Sequence, residues 1–294
     1  MKSPLTGTSD TQLVKEIEKS YIIDGYKRAF KIDVDDELKD IDRVQLWVCN
    51  QTGLKFYTPK AAAGGENLYK ALRKNSWYYK PWKWEHDFAL GQVKEKSEVL
   101  EVGCAEGSFL EKCVEQKKCN VTGLELNSDA VDIARTKNLN VVLEDIMTFD
   151  TTQYDYVLMF QVLEHIDNLK PFFQKLISLT KKGGRIVISV PNNDSFIKKT
   201  DETNFLNMPP HHMLLWRKKS LVNLAKMFGL TVEKIAYEPL QLEHLDWFID
   251  SFKIHGNGIW GRIFRYKIRP IVKRILERMN FLVKGHTILI VLQK

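Results

Sequence analysis

The sequence predicts an α/β fold: a doubly wound, mostly parallel seven-stranded sheet, with a small N-terminal β-containing module and an insertion before the last strand. Three observations carry this. Short apolar runs alternate with helix-period segments from residue 98 to 190, the pattern of parallel strands joined by helices. Arg185-Ile-Val-Ile-Ser-Val190 is apolar without alternation, as a strand buried on both faces must be. Finally, Glu98 to Leu110 joins a short strand (Val99, Leu100, Val102) to a helix through a turn bracketed by Gly103 and Gly107. That layout places a ligand against a helix N-terminus at the carboxyl edge of a sheet, with glycines where the backbone approaches it.

Residues 1–75 read as an accessory module. Ser3-Pro-Leu-Thr-Gly7 is a turn. Gln45–Cys49 and Leu54–Tyr57 alternate around Asn50-Gln-Thr-Gly53, which predicts a β-hairpin. Pro59 and Gly64-Gly65 then break the chain. The core spans 76–238 and resumes at 286–294. Its strands are predicted near 98–103, 120–125, 140–144, 154–160 and 184–190, its helices near 107–118, 128–137 and 168–181. Lys181-Lys-Gly-Gly184 reads as the stop of the last helix. Thr231–Tyr237 and His286–Leu292 are the sixth and seventh strands. Residues 239–285 between them are too long for an idle loop and are placed at the rim of a substrate site.

Within that insertion, Phe264, Ile268, Ile271, Val272, Ile275, Leu276 and Met279 share one side of a helix broken at Pro270. Arg265, Lys267, Arg269, Lys273, Arg274 and Arg278 take the other. Packing on the domain or on a second copy is the first expectation. Peripheral contact of 263–282 with an anionic membrane surface is the alternative. The oligomeric state is left open.

Composition narrows the classes. The 294 residues are 44% hydrophobic and 28% charged, as in ordinary globular proteins. No apolar run reaches the ~18 residues of a membrane span, and Met1-Lys-Ser-Pro-Leu-Thr-Gly lacks the apolar core of a signal peptide. Cys49, Cys104, Cys113 and Cys119 form no disulfide framework or metal-ligand spacing, so reduced thiols and a cytoplasmic location are expected, with no metal. The net charge of +7 resides in the tail: Ser251–Lys294 holds ten Lys or Arg and one acid, Glu277. That suits nucleic acid, anionic lipid or a phosphorylated substrate, or a solvated helix face.

The motif at Gly103 is not the dinucleotide fingerprint, because Cys104, Ala105 and Glu106 follow it. Glu125, 22 residues after Gly103, ends the second strand, where a carboxylate can accept from both hydroxyls of a ribose. The third strand ends at Asp145-Ile146, where an acid can accept from an adenine amino group. The fourth runs into Phe160-Gln-Val-Leu-Glu-His-Ile166. In this order and spacing the four motifs resemble the class I S-adenosylmethionine-dependent methyltransferases, over roughly 76 to 238 and the last strand. Ala105 departs from the usual middle glycine.

The resemblance implies a Rossmann-like methyltransferase fold whose last two strands form a hairpin, with the seventh antiparallel. It implies S-adenosyl-L-methionine as cofactor and S-adenosyl-L-homocysteine as product. It places cofactor contacts at Glu101, Gly103, Cys104, Ala105, Gly107, Glu125, Leu126, Asp145, Ile146, Phe160 and Gln161. A helix over the cofactor is implied at the aromatic cluster Trp77–Trp84, where Tyr79 and Trp84 are the expected contacts; an aromatic face holds a sulfonium by ~1–2 kcal/mol when desolvated. The N-terminal module is similar to one on bacterial methyltransferases encoded with surface-polysaccharide genes. Some of those carry Cys where Ser3 stands, a metal ligand this chain lacks.

Methyl transfer requires an acceptor aligned with the methyl–sulfur bond and water excluded, and orientation alone lowers a barrier by about 7–11 kcal/mol. An alcohol acceptor also benefits from a base, usually His. His165 follows the fourth strand. His211 and His212 follow Pro209-Pro210 in the segment 192–216, within a Pro-Pro-His-His-x-x-x-Trp stretch that the polysaccharide-type relatives share. These three are the catalytic candidates, with His244 behind them and Glu164 as an orienting group. The expected acceptor is an oxygen of a sugar, glycan or other small molecule. The alternatives are a lipid-linked or quinone-like acceptor, and a non-catalytic cofactor-binding scaffold, towards which Ala105 leans. Nucleic acid is not the expected partner, because Phe160-Gln-Val-Leu stands where base methylation uses Asn-Pro-Pro-Tyr.

Overall fold

The computed structural model describes residues 1–75, 78, 80–150, 153–200, 203–252 and 263–294. The chain opens with β1 (Thr11–Glu18), α1 (Lys19–Phe30), β2 (Arg43–Cys49) and β3 (Lys55–Thr58). The predicted hairpin is present, with Leu46 opposite Tyr57 and Gly53 at φ +72° in its turn. β1 pairs antiparallel outside β2. Neither β1 nor α1 was expected. β1 buries only Ile17, so it has almost no alternation to read. α1 carries Gly25 and turns Ile22, Ile23 and Tyr26 inward.

After α2 (Glu66–Arg73) and α3 (Trp84–Leu90) the core begins. Its first strands are β4 (Glu98–Val102), β5 (Asn120–Glu125) and β6 (Val141–Leu143), connected by α4 (Ser108–Lys117) and α5 (Ser128–Thr136). β7 (Tyr154–Phe160), α6 (Leu169–Leu179) and β8 (Thr180–Pro191) follow. A short β9 (Leu214–Leu215), α7 (Lys218–Met227), β10 (Thr231–Pro239) and β11 (Lys284–Gln293) complete the core. The seven-stranded sheet has the order β10-β11-β8-β7-β4-β5-β6. β11 runs antiparallel to both neighbours and the other pairs are parallel. Strand order reverses at β4, which opens a crevice at the carboxyl ends of β4 and β7.

One boundary is corrected. Lys181–Gly184 does not end a helix. α6 stops at Leu179, Thr180 already pairs with Tyr154, and its Oγ1 donates to the Leu176 carbonyl at 2.8 Å. The lysines and glycines are the irregular lead-in to β8, where the register with β7 shifts.

The N-terminal module is stitched into the core. β9 lies in the 192–216 segment, yet it pairs with β3, with Phe56 opposite Leu214. One apolar cluster runs from Leu5 through the fully buried Trp216 to Leu292. In the insertion, α8 (Leu245–Asp250) is followed by a π turn (Phe264–Ile268) and α9 (Arg269–Met279), with Pro270 in its first turn. The first expectation was packing of the apolar side on the domain or on a second copy. Within the chain, Arg269 and Lys273 tie α9 to Asp246 and Asp250 of α8, and α9 buries no residue fully. Leu276 packs on the small cluster of Phe196, Leu240 and Leu245, while Ile271 and Ile275 are 62% and 51% exposed. The Arg265 side chain lies outside the described residues. Among the described residues no helix is long and apolar enough to cross a membrane.

Candidate functional site

At the crevice, Gly103 and Gly107 have φ +73° and +74°. A Cβ on Gly103 would sit 2.7 Å from Val162 Cγ2, and one on Gly107 2.5 Å from Leu139 Cδ1, so with the positive φ both positions favour glycine. Ala105 between them takes φ +47° and so keeps the left-handed turn a glycine would make. Its N–H donates to Glu125 Oε2 at 2.8 Å. Glu125 Oε1 accepts from Leu126 N and Asn127 N at 2.9 and 3.0 Å. Glu125 therefore clamps the glycine turn of β4 to the end of β5, a role its position at a strand end does not reveal. With about four lone-pair sites on a carboxylate, it keeps capacity for a ribose hydroxyl.

A cavity of about 280 Å³ lies over these strand ends. Gly103, Glu125, Leu126, Asp145 and Ile146, all among the expected cofactor contacts, line one side of it. Val162, Ile166, Pro171 and Phe172, from the start of α6 and the turn before it, close the other. Sequence reasoning missed this second wall, because an apolar helix start reads as core. Glu101, in β4, is buried and its Oε2 has no hydrogen-bond partner. Burial, and then the Glu125 charge, push its carboxyl well above the usual range. Glu101 precedes the cavity residues Val102 and Gly103 without lining the cavity itself, and its unpartnered carboxyl oxygen can accept a hydrogen bond from a cofactor's ammonium group.

The remaining predicted contacts lie elsewhere. Cys104 turns into the core: a Cβ on Gly123 would fall 2.5 Å from its Sγ, and its N–H donates to the Leu124 carbonyl. Phe160 packs edge-on against His86 and Phe109. Gln161 has φ +56° and donates from Nε2 to Glu85 Oε1 at 3.2 Å. Trp84 packs on Phe88. None of these four lines the cavity. Tyr79 lies outside the described residues.

The catalytic candidates do come together. His165 ends the turn Leu163–His165 after β7, between the cavity residues Val162 and Ile166. Its ring centroid lies 5.1 Å from that of His211 and 5.0 Å from that of His212, and the latter two stack at 4.2 Å. The loop that carries the pair is held by the N-terminal module: Gly64 N donates to the Pro210 carbonyl at 2.7 Å and Tyr57 N to the Met213 carbonyl at 2.9 Å. Trp216 Nε1 donates to the Leu163 carbonyl, tying the two histidine-bearing turns together.

Burial holds His165 down at about 4 and His211 at about 3, and holds His212 well below the usual value. All three are neutral near pH 7. His165 Nδ1 lies 2.7 Å from the His211 carbonyl oxygen, which can only accept, so Nδ1 carries the proton and Nε2 the lone pair. Tyr78 Oη lies 2.7 Å from His211 Nε2, and Tyr69 Oη lies 3.0 Å from His165 Nδ1. Nothing in their spacing linked these tyrosines to the histidines. Glu164 is fully buried, and neither carboxylate oxygen accepts a hydrogen bond. His244 is not part of the trio; it lies in the insertion and packs against His286 of β11.

A family model described as a methyltransferase domain matches residues 75–235. The (S)-tetrahydroprotoberberine N-methyltransferase of Eschscholzia californica is 34% identical over 95 residues, which is 29% of this chain and 27% of that protein. The ubiquinone biosynthesis O-methyltransferase of Shewanella pealeana is 27% identical over 162 residues, 49% of this chain and 68% of that one. The chain thus spans about a quarter of the length of the plant relative. A chain in the solved complex between the Haloferax volcanii Trm112 methyltransferase activator and a methyltransferase is 16% identical, with TM-score 0.50, covering 78% of this chain and 94% of that one. That likeness concerns the fold.

Proposed function

Since the chain belongs to the methyltransferase-domain family, we propose that it transfers a methyl group to an oxygen of a small hydroxylated acceptor, a sugar or glycan of the surface-polysaccharide type. S-adenosylmethionine is the cofactor, and it supplies a methyl already activated as a sulfonium. Gly103, Glu125, Leu126, Asp145 and Ile146 would hold its nucleoside, and Glu101 its ammonium end. The observation that carries the oxygen-acceptor reading is the neutral histidine trio next to this cavity. An alcohol needs a proton acceptor as it attacks, and His165 Nε2, unprotonated in the tautomer fixed by the His211 carbonyl, supplies one.

The scaffold alternative leaned on Ala105, and its support weakens, because Ala105 keeps the left-handed turn and its bond to Glu125. Calorimetric titration with S-adenosylhomocysteine, followed by a methyl-transfer screen over sugar nucleotides, tests the proposal. Turnover that survives in both His165→Ala and His212→Ala, with cofactor affinity intact, would remove the histidines as proton acceptors. A second reading, a lipid-linked or quinone-like acceptor at the inner face of a membrane, is favoured by one observation: α9 leaves its apolar side chains open to solvent beside Lys267, Arg274 and Arg278.

A further inference from the structure

His165, His211 and His212 do more than sit near one another. One ring nitrogen of each lies within 4.8 Å of the others. Each Nδ1 faces an oxygen: that of His165 the His211 carbonyl at 2.7 Å, that of His211 the Leu206 carbonyl at 2.9 Å, that of His212 Asn207 Oδ1 at 3.4 Å. Hydrogen bonding at one ring nitrogen fixes the tautomer and leaves the other nitrogen with its lone pair, which is how metal-ligating imidazoles are prepared. A second, independent observation points to a cation. Glu164 is completely buried beside the trio, with Oε1 3.8 Å from His212 Nε2, and both of its oxygens lack a hydrogen-bond partner. A carboxylate in that position is costly unless a cation or a proton meets it.

We infer that His165, His211, His212 and Glu164 form a site for a divalent transition-metal cation at the acceptor side of the cofactor cavity. Three imidazoles and one carboxylate suit Zn²⁺, Mn²⁺ or Fe²⁺, whereas Mg²⁺ and Ca²⁺ favour all-oxygen sets. The Tyr78 hydroxyl now caps His211 Nε2 and must give way when the cation enters. The inference rests on the proposed function only for what the cation does. There it holds the acceptor oxygen as a further ligand and lowers the pKa of its hydroxyl, as zinc does for bound water. The proton then leaves to solvent before the methyl is transferred, a route that keeps the methyl transfer to oxygen and replaces direct proton acceptance by His165 Nε2.

The test is direct metal titration of the chelator-treated full-length protein, with Zn²⁺ followed by calorimetry and Co²⁺ by its visible absorption. One equivalent is expected to bind, with Mg²⁺ at least a hundredfold weaker. His212→Ala and Glu164→Gln should each weaken Zn²⁺ at least tenfold while S-adenosylhomocysteine still binds, which shows that the variants are folded. Tyr78→Phe should tighten it by removing the competing hydroxyl. Failure of cofactor-competent protein to bind Zn²⁺ or Co²⁺ stoichiometrically overturns the site, as does binding that both variants leave unchanged. Methyl transfer by metal-free protein would sink the inference and leave the proposed function standing. Stoichiometric metal binding without any methyl transfer would do the reverse.

Discussion

Glu125 holds three backbone N–H groups from two separate turns, so its loss acts twice on the cofactor site. Glu125→Ala frees the loop at Ala105 and removes the proposed ribose acceptor. With hydrogen bonds to a charged group contributing about 1.5–3 kcal/mol each, affinity for S-adenosylhomocysteine should fall tenfold or more by calorimetry. An unchanged constant would place the nucleoside elsewhere. His86 gives a second test at this scale. It is packed between Trp82, Phe109 and Phe160, and burial holds its imidazole down at about 3. The Lys83 N–H donates to its Nδ1, which also favours the neutral ring. The unfolded chain takes up a proton near pH 6.5 and the folded chain does not until about 3. This group's contribution to stability is therefore present above pH 6.5 and is lost as pH falls towards 3, at up to about 1.4 kcal/mol per pH unit. His86→Phe should remove that slope. Denaturation at pH 7 and pH 4.5 would show wild type losing more stability than the variant, and equal losses would refute the assignment.

At the scale of elements, the site depends on a strand that belongs to two parts of the chain. β9 carries Leu214 and Leu215 from the loop of His211 and His212 and completes the N-terminal sheet against β3. Trp216 follows, fully buried and bonded to the Leu163 carbonyl. Trp216→Ala should cost about 3–5 kcal/mol of stability, as large core truncations do. Trp216→Phe, which keeps most of the apolar volume but loses the Nε1 donor, should fold and still misplace His165 relative to His211. Turnover should then fall more than S-adenosylhomocysteine affinity. A parallel fall in both would make the tryptophan a purely structural residue.

This junction was not legible in the sequence. Leu214-Leu215 is too short to show a period, and its partner Phe56 lies more than 150 residues away. By contrast β4, β5, β7 and β8 were legible, because strands buried on both faces must be continuous apolar runs. The glycine turn, and the placement of Glu125 and Asp145 at strand ends beside the cavity, were legible because those signals are local. The second wall of the cavity and the tyrosines on the histidines were not, since only the fold brings Tyr69 and Tyr78 to His165 and His211.

At the scale of the whole molecule, charge and exposed apolar surface coincide at one place. The chain carries +7, and its tail region supplies the excess. There α9 turns Arg269 and Lys273 inward to Asp246 and Asp250 and leaves Ile271, Ile275 and Met279 outward, followed by Phe281 and Leu282. Lys267, Arg274 and Arg278 are exposed beside them. Two copies meeting through this face would bring like charges together around the apolar strip, whereas an anionic bilayer offers both an apolar interior and opposite charge. Each such cation contributes about 1 kcal/mol near an anionic surface. The protein should therefore sediment with vesicles containing phosphatidylserine, bind neutral phosphatidylcholine vesicles far less, and release as salt rises and screening shortens. Ile271→Asp with Ile275→Asp should abolish sedimentation while leaving S-adenosylhomocysteine binding intact, because both side chains lie outside the cofactor cavity. If the wild type ignores anionic vesicles, the lipid-linked acceptor loses its support and the soluble sugar-type acceptor stands alone. If light scattering instead shows a dimer that the paired aspartates dissolve, the face belongs to a second copy of the chain, and its cations must be neutralised across that interface.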